Sequence, residues 1–371
     1  VTLTPERKPV TTRADDERFM ARAIEISRRH LGLTDTNPSV GCVLVKDGEI
    51  IAEAVTAIGG RPHAERQALD IAGEAARGAT AYVTLEPCSH FGRTPPCANA
   101  LVDFGVARVV VAADDPDERV SGRGYQILRD AGIAVETGLL RADSERALAG
   151  YLTRQLKNRP HVILKIAVSS DGMIGRRGEG QVAITGPESR QAVHELRAHC
   201  DAILVGIGTA MTDDPELTVR IAGLEYRSPV RIVMDRRLAL PVGSKLVQTA
   251  RDVATLVGVI DSAGEESTTQ KRKQLEAAGV EIIETSDIRN FLSILVERGM
   301  SELLVEGGAR IAKSFLDAGL VDRILLFESP VIIGEGGLES PITRADIPEE
   351  FTFFGETAYG PDRCFEFERP L

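Results

Sequence analysis

Four side chains in one stretch of this chain could together hold a metal ion and move a proton. His63 and Glu65 stand two apart in His63-Ala64-Glu65, and Cys88 and Cys97 follow. An imidazole and two thiolates are zinc ligands, and three protein ligands leave the fourth tetrahedral position to water. Zinc lowers the pKa of water, and a carboxylate nearby can carry the released proton to a leaving group. Residues two apart on a helix do not share a face. Glu65 is therefore read as the proton shuttle and not as a fourth ligand. Two thiolates neutralise the ion and weaken it as a Lewis acid. A helix N-terminus compensates, because it favours anions and lowers thiol pKa values. Cys97 is expected at such a place: Pro95-Pro96 precede it and Ala98 to Leu101 read as a first helical turn. His63 follows Pro62 and opens a second helical run, Ala64 to Leu69. A four-ligand structural site would need another donor, and His90 is the nearby candidate.

Elements that would position these groups are legible in the first half. Phe19, Met20, Ala23, Ile24, Ser27 and Leu31 recur at helical spacing, with Asp15 and Asp16 where the helix dipole favours them. Val40 to Val45 reads as a strand, Lys46-Asp47-Gly48-Glu49 as a hairpin turn, and Ile50 to Val55 as the return. Ala81 to Leu85 is a buried strand that delivers Cys88. A helix over 98–104, a strand over 106–112, a helix over 124–131 and a strand over 134–137 complete a sheet with helices on both faces. Arg141 to Asn158 is a charged helical stretch that ends at Arg159-Pro160, where the domain boundary is placed.

The pattern restarts at Val162 to Val168. Further strands are expected at 202–206, 230–234, 253–259, 280–283, 303–305 and 324–327. No Gly-x-Gly-x-x-Gly follows the first of these strands, so a standard dinucleotide-binding fold is not supported. Leu303-Leu304-Val305-Glu306-Gly307-Gly308 instead runs from a strand into two glycines, and Ala309 to Leu316 reads as a helix. Free N–H groups at such a helix start can hold a phosphate. Glu306 ends a buried strand, where a carboxylate can hold sugar hydroxyls, supply a proton, or serve the dipole of the following helix.

At 371 residues the chain suggests two domains of ordinary size. Its 43% apolar and 27% charged content is that of a soluble globular protein. The net charge of -11 argues against a nucleic-acid partner but leaves room for a phosphorylated small molecule held by a few local arginines. No stretch is long and apolar enough to span a bilayer, and residues 1–16 lack a signal-peptide core. Cys42, Cys200 and Cys364 are scattered, which suits buried thiols in a reducing compartment. A cytoplasmic enzyme without membrane partners is expected.

Pro87-Cys88-Ser89-His90-Phe91-Gly92-Arg93-Thr94-Pro95-Pro96-Cys97 separates its cysteines by eight residues, where the general zinc-deaminase pattern has two. The segment resembles the zinc loop of the bifunctional deaminase/reductase family of riboflavin biosynthesis. Asn37-Pro38-Ser39-Val40-Gly41 matches that family's entry loop. Lys165-x-Ala167-x-Ser169-x-Asp171-Gly172 and Gly206-x-Gly208-Thr209-x-x-x-Asp213-Asp214-Pro215-x-Leu217-Thr218-x-Arg220 match its second half. The resemblance implies an α/β chain: an N-terminal cytidine-deaminase-like three-layer α/β/α domain over 14–158 and a C-terminal dihydrofolate-reductase-like α/β domain over 159–371. Residues 1–13 are left as a flexible arm. It implies zinc and NADPH as cofactors. The first reaction hydrolyses the 2-amino group of a diamino-pyrimidinone ribosylamine 5′-phosphate, and the second reduces the ribosyl group to ribityl. Asn37, His90 and Arg93 are implied near the pyrimidine. Ala167, Thr209, Asp213, Gly308, Ala309, Arg310, Ile311, Ala312, Lys313 and Ser314 are implied at NADPH. Arg197, Leu217, Arg220 and Glu306 are implied at the substrate of the reduction, and Lys165 either aids the reduced carbon or is structural. A homo-oligomer is expected.

The chain departs from the family at Gln181, at Ala183, where Trp is common, and at Arg236. Two other readings stand beside this one. A nucleic-acid or nucleoside deaminase with an appended domain would need a short Cys-x-x-Cys and basic flanks. An inactive deaminase fold serving as a binding module would be favoured by loss of Glu65 or of a ligand, and all four residues are present.

Overall fold

A computed structural model describes residues 12–91, 95–260 and 266–371, which divide into two compact units between Lys157 and Asn158. The first unit opens with α1 (Arg13–Ser27). Thr12 and Asp15 form a capping box in which each side chain accepts the other's backbone N–H at 3.2 Å. The helix therefore already includes Arg13, the last residue assigned to the arm, and residues 1–11 lie outside the described ones. Strands β1 (Gly41–Lys46) and β2 (Glu49–Val55) join through Asp47 and Gly48, both at positive φ as a tight hairpin turn requires. Then follow α2 (Ala64–Ala72), β3 (Thr80–Leu85), α3 (Cys97–Phe104), β4 (Arg108–Ala113), α4 (Arg123–Asp130) and β5 (Ala134–Thr137). The single charged helix expected over 141–158 is two, α5 (Arg141–Ala147) and α6 (Ala149–Lys157). The break falls at Leu148, which is buried in the core.

The sheet order is β2-β1-β3-β4-β5, antiparallel as far as β3 and parallel beyond it. Strand alternation builds the layers. Cys42, Leu44, Val83 and Val111 face Ala64, Ala68 and Leu69 of α2 and Leu101 of α3. Val43, Val45, Tyr82 and Val110 face Phe19, Met20 and Ala23 of α1. The result is the expected three-layer arrangement. It sets α2 and α3 side by side on one face, with their N-termini at the end of β3.

The second unit comprises β6 (His161–Val168), β7 (Met173–Arg176), α7 (Pro187–Arg197), β8 (Ala202–Gly206), α8 (Ile207–Asp213), β9 (Val230–Met234), α9 (Lys245–Gln248) and β10 (Thr255–Ile260). It continues with α10 (Glu266–Ala277), β11 (Glu281–Thr285), α11 (Ile288–Glu297), β12 (Glu302–Glu306), α12 (Ala309–Asp317), β13 (Arg323–Glu328), β14 (Gly337–Glu339), β15 (Thr352–Tyr359) and β16 (Asp362–Glu368). One sheet of order β11-β10-β9-β8-β12-β6-β13-β16-β15 carries seven parallel strands and ends in the antiparallel hairpin β15–β16. Val162, Leu164, Leu303 and Val305 pack on Phe291 and Leu295 of α11 and Phe315 of α12. Ile163, Ile203, Val205 and Leu304 pack on the opposite face with Leu246 and Leu275. Strands β7, β14, β15 and β16 were not expected. The last two join at Gly360-Pro361 between alternating residues, a hairpin signal of ordinary type. Among the described residues no helix is long and apolar enough to cross a membrane.

Candidate active sites

Three pieces of the first unit converge on one point. His63 is the N-cap of α2, Cys97 is the first residue of α3, and Cys88 lies three residues beyond β3. The Nδ1 of His63 is 3.6 Å from the Cys88 sulfur and 3.4 Å from the Cys97 sulfur. All three donor atoms lie within 4.8 Å of one another. Zinc–nitrogen and zinc–sulfur bonds at a tetrahedral angle place the two donors about 3.5 Å apart. The residues present therefore fit a zinc ion through Nδ1 and two sulfurs. His90 is not in this cluster, and its buried Nδ1 has no partner among the described residues.

The helix start contributes as anticipated: the Cys97 N–H points at the Cys88 sulfur, 3.2 Å away. The Cys97 thiol and then His63, against burial, pull the Cys88 thiol below its usual range. The same pair interaction, together with burial, pushes Cys97 up. Glu65 occupies the first turn of α2 and is 3% exposed. Burial drives its carboxyl up to about 7 against the pull of His63. Asn37 is held in a tight turn by Thr34 Oγ1 and packs on Gly60, where a Cβ would fall 2.3 Å from its Nδ2. Arg93 lies outside the described residues.

Glu86, two residues before Cys88, went unremarked in the sequence. It is buried and accepts the backbone N–H groups of Gly122 and Gly124 at 3.1 Å each. A Cβ on Gly124 would stand 2.2 Å from the Pro87 carbonyl oxygen. These contacts fasten the segment that carries Cys88 to the start of α4. An acid next to Pro-Cys at the end of a buried strand was the available signal.

In the second unit the end of β12 meets the end of β8 and the middle of β6. Glu306 pairs in register with Lys165. Arg197, at the end of α7, grips Glu306 with both prongs, Nε to Oε1 at 2.7 Å and Nη2 to Oε2 at 2.9 Å. Its Nη1 reaches the Thr218 carbonyl at 3.2 Å. Burial alone would raise the Glu306 carboxyl, but Arg197 and then Lys165 hold it below its usual range. Burial lowers Lys165, whose ammonium lies 5.6 Å from the centre of the Phe327 ring.

Gly307 and Gly308, both at positive φ, lead into α12. A Cβ on Gly308 would sit 2.8 Å from Thr209 Oγ1, and Ile311 lies against Gly206. Two segments distant in sequence thus form one cradle, with the N-termini of α8 and α12 opening beside it. The N–H groups of Ala309, Arg310 and Ile311 are free of intrahelical bonds by position. Ala312 turns into the core, Lys313 pairs with Asp317, and Ser314 donates to the Arg310 carbonyl. Ala167 packs beside Phe327 and Cys364. Asp213 ends α8 and is half-buried, which raises its carboxyl. Leu217 is buried at a φ of 55°, and Arg220 is exposed, 3.2 Å from Glu216.

Residues 13–113 match the cytidine and deoxycytidylate deaminase zinc-binding region, and residues 160–365 match the RibD C-terminal domain. The chain is 38% identical to the riboflavin biosynthesis protein RibD of Escherichia coli over 94% of its own length and 98% of that protein's. The Aquifex aeolicus protein of the same name is 40% identical, with 86% and 88% covered. Among solved structures, Acinetobacter baumannii RibD superposes with a TM-score of 0.84 at 34% identity, covering 97% of this chain and all of that one. A Thermotoga maritima diaminohydroxyphosphoribosylaminopyrimidine deaminase/5-amino-6-(5-phosphoribosylamino)uracil reductase does so with 0.84 at 33%, covering 96% and 99%. The chain belongs to the RibD family. As a RibD protein it is a bifunctional enzyme of riboflavin biosynthesis, a deaminase joined to a reductase, with zinc and NADPH as cofactors. Its departures from the RibD pattern, Gln181, Ala183 and Arg236, all lie in loops and are exposed.

Proposed function

We propose that residues 14–158 deaminate a diaminopyrimidinone ribosylamine 5′-phosphate and residues 159–371 reduce the ribosyl group of the resulting uracil. The observation that carries the first half is the set of three donors at zinc spacing, with a buried carboxylate in the first turn of α2. His63, Cys88 and Cys97 hold the metal, which supplies an activated water. Glu65 moves protons. Burial raises its carboxyl toward neutrality against the pull of His63, which suits a group that both accepts and returns a proton. It takes one from the attacking water and gives it to the ring nitrogen, then takes the second from the hydroxyl now on the ring carbon and gives it to the amine, which leaves as ammonia while the carbonyl forms. Asn37 and His90 line the pyrimidine side, and Arg93 belongs to the same loop.

In the second half, Gly308 to Ser314, Thr209, Asp213 and Ala167 bind NADPH, which supplies the hydride. The glycine turn and the first turn of α12 hold its phosphate. Arg220 offers its guanidinium fork to the substrate phosphate, since such forks match phosphate oxygens, and Arg197, whose Nε and Nη2 already hold Glu306, adds its remaining Nη hydrogens on the substrate side. Leu217 packs on the substrate, and Glu306 orients the sugar hydroxyls. Held as an anion, Glu306 accepts hydrogen bonds and has no proton to give. The chain is further read as a homo-oligomer of the cytoplasm. β15 ends the large sheet with Phe353 and Phe354 each more than half exposed, the kind of edge that a second copy covers. Five free cysteines suit a reducing compartment.

The test is zinc content and ammonia release in Glu65→Ala. About one zinc per chain with ammonia release lost supports the reading, and release at the parent rate refutes it.

A further inference from the structure

The segment from Glu216 to Arg220 carries two proposed substrate contacts, yet it belongs to no helix or strand. Its backbone is held by side chains. Arg231 donates to the Glu216 carbonyl at 3.2 Å, Arg197 to the Thr218 carbonyl at 3.2 Å, and the Val219 N–H donates to Ser228 Oγ at 3.0 Å. The last anchor is His194, whose Nδ1 accepts the Arg220 N–H at 3.3 Å. His194 lies on α7 one turn before Arg197 and is 9% exposed. Two side chains on one face of α7 thus strap the segment at alternate residues.

We infer that His194 is a positioning residue of the reductase, acting through the Arg220 backbone to hold the Leu217–Arg220 segment where it meets the substrate. This rests on the proposed contacts of Leu217 and Arg220. The bond requires a lone pair on Nδ1, so the ring must be neutral with its hydrogen on Nε2. Its surroundings enforce that form. Burial lowers its pKa, and Arg197 from its own helix and Arg220 from the strap lower it further. The Thr218 carbonyl and Glu306 from β12 oppose them without prevailing. A protonated ring would set N–H against N–H and release the strap.

The experiment measures reductase kinetics on 5-amino-6-(5-phosphoribosylamino)uracil with NADPH, in the full chain, for wild type, His194→Phe, His194→Asn and Arg220→Ala. Losing the acceptor beside a buried N–H predicts a KM for the uracil raised about tenfold in His194→Phe, with kcat and the KM for NADPH within about twofold. His194→Asn places a carbonyl oxygen near the Nδ1 position and should restore most of the affinity at pH 7.5. As pH falls, the wild-type KM should rise through the His194 titration, and His194→Asn should lack that rise. The substrate phosphate titrates alike in both proteins, so the difference isolates the ring. An unchanged KM in His194→Phe overturns the inference, as does an acid limb that persists in His194→Asn. If His194→Phe fails to fold, the Asn profile decides alone. Should Arg220→Ala also leave KM unchanged, the substrate reading falls and the inference with it. If Arg220→Ala raises KM and His194→Phe does not, only the inference falls.

Discussion

Each unit buries one glutamate at its proposed centre, and the two behave in opposite ways. Glu65 is 3% exposed and Glu306 is 8% exposed. Both lose hydration, which disfavours the charged form. Glu65 has the His63 imidazole beside it but no guanidinium grips it among the described residues, and burial carries its carboxyl up to about 7. Glu306 is clasped by Arg197 with Lys165 behind it, so its carboxyl falls. Burial without a guanidinium clasp leaves a carboxyl able to take and return a proton. Burial against a guanidinium makes a fixed anion that orients and accepts. The neighbours, not the residue type, assign the two roles.

The same substitution in both places breaks or sharpens this contrast. Glu65→Gln should cut deamination by about 10²–10⁴-fold, the usual worth of a general acid–base. Bound zinc should stay near one per chain by metal analysis, and reduction of the deaminated uracil should be unchanged. Thermal stability should hold or rise, because a costly buried carboxyl is gone. Loss of zinc in the variant would make Glu65 a ligand and end the comparison.

Glu306→Gln should do the reverse to stability. It leaves Arg197 buried opposite a neutral amide. Breaking a buried pair on one side costs about 3–5 kcal/mol. Denaturant unfolding should show that loss in the reductase unit, with ammonia release intact. NADPH oxidation should fall as well. A variant as stable as the parent would mean that the pair is not what holds this corner.

Much of the first site could be read from the chain, because zinc chemistry demands particular side chains. An imidazole, two thiols and a spare carboxylate are rare together, and Pro62 and Pro95-Pro96 marked the helix starts that aim them. Glu86 was passed over because its partners are backbone N–H groups, which no residue type announces. The second site was harder for the same reason. Its cradle is made where Gly308 meets Thr209, about a hundred residues away; the family resemblance put both at the cofactor, but residue type and spacing offered only the glycines. Arg197 and Glu306 were both singled out, but periodicity cannot say that they clasp each other. The fold divides likewise. Buried parallel strands announce themselves as apolar runs, whereas β15 is exposed along most of its length and short β7 and β14 pair only with each other.

Asp322 extends the comparison to pH. It is buried, and burial would raise it, but Arg159 at 2.7 Å and the Val162 N–H at 2.9 Å hold it low. A carboxyl lowered on folding stabilises above its ordinary pKa of about 4, and that stability is lost as pH falls through the lower folded value. Asp322→Asn should therefore cost about 1.5–3 kcal/mol at pH 7, the worth of a charged hydrogen bond. Unfolding curves at stepped pH should show the gap between variant and parent closing below about pH 4. Glu65→Gln should show a gap of the opposite sign, with the variant the more stable at neutral pH and that advantage fading as pH falls from about 7 toward the ordinary carboxyl range, since its carboxyl is displaced the other way.

The smallest effect tests the part of the second site that has no chemistry of its own. Gly308 sits at a φ of 66°, and a methyl group there would press on Thr209 Oγ1. An L-residue held in so sparsely populated a conformation costs about 1–3 kcal/mol. The strain should appear where the turn must close on phosphate, as a KM for NADPH raised about 5–30-fold in Gly308→Ala. Gly308→Ala with Thr209→Ser keeps the hydroxyl oxygen that the added methyl meets at 2.8 Å and should recover little. If the single variant binds NADPH like the parent, the cofactor phosphate does not rest on this turn. The second unit would then have to bind it by side chains, as the first unit binds its metal.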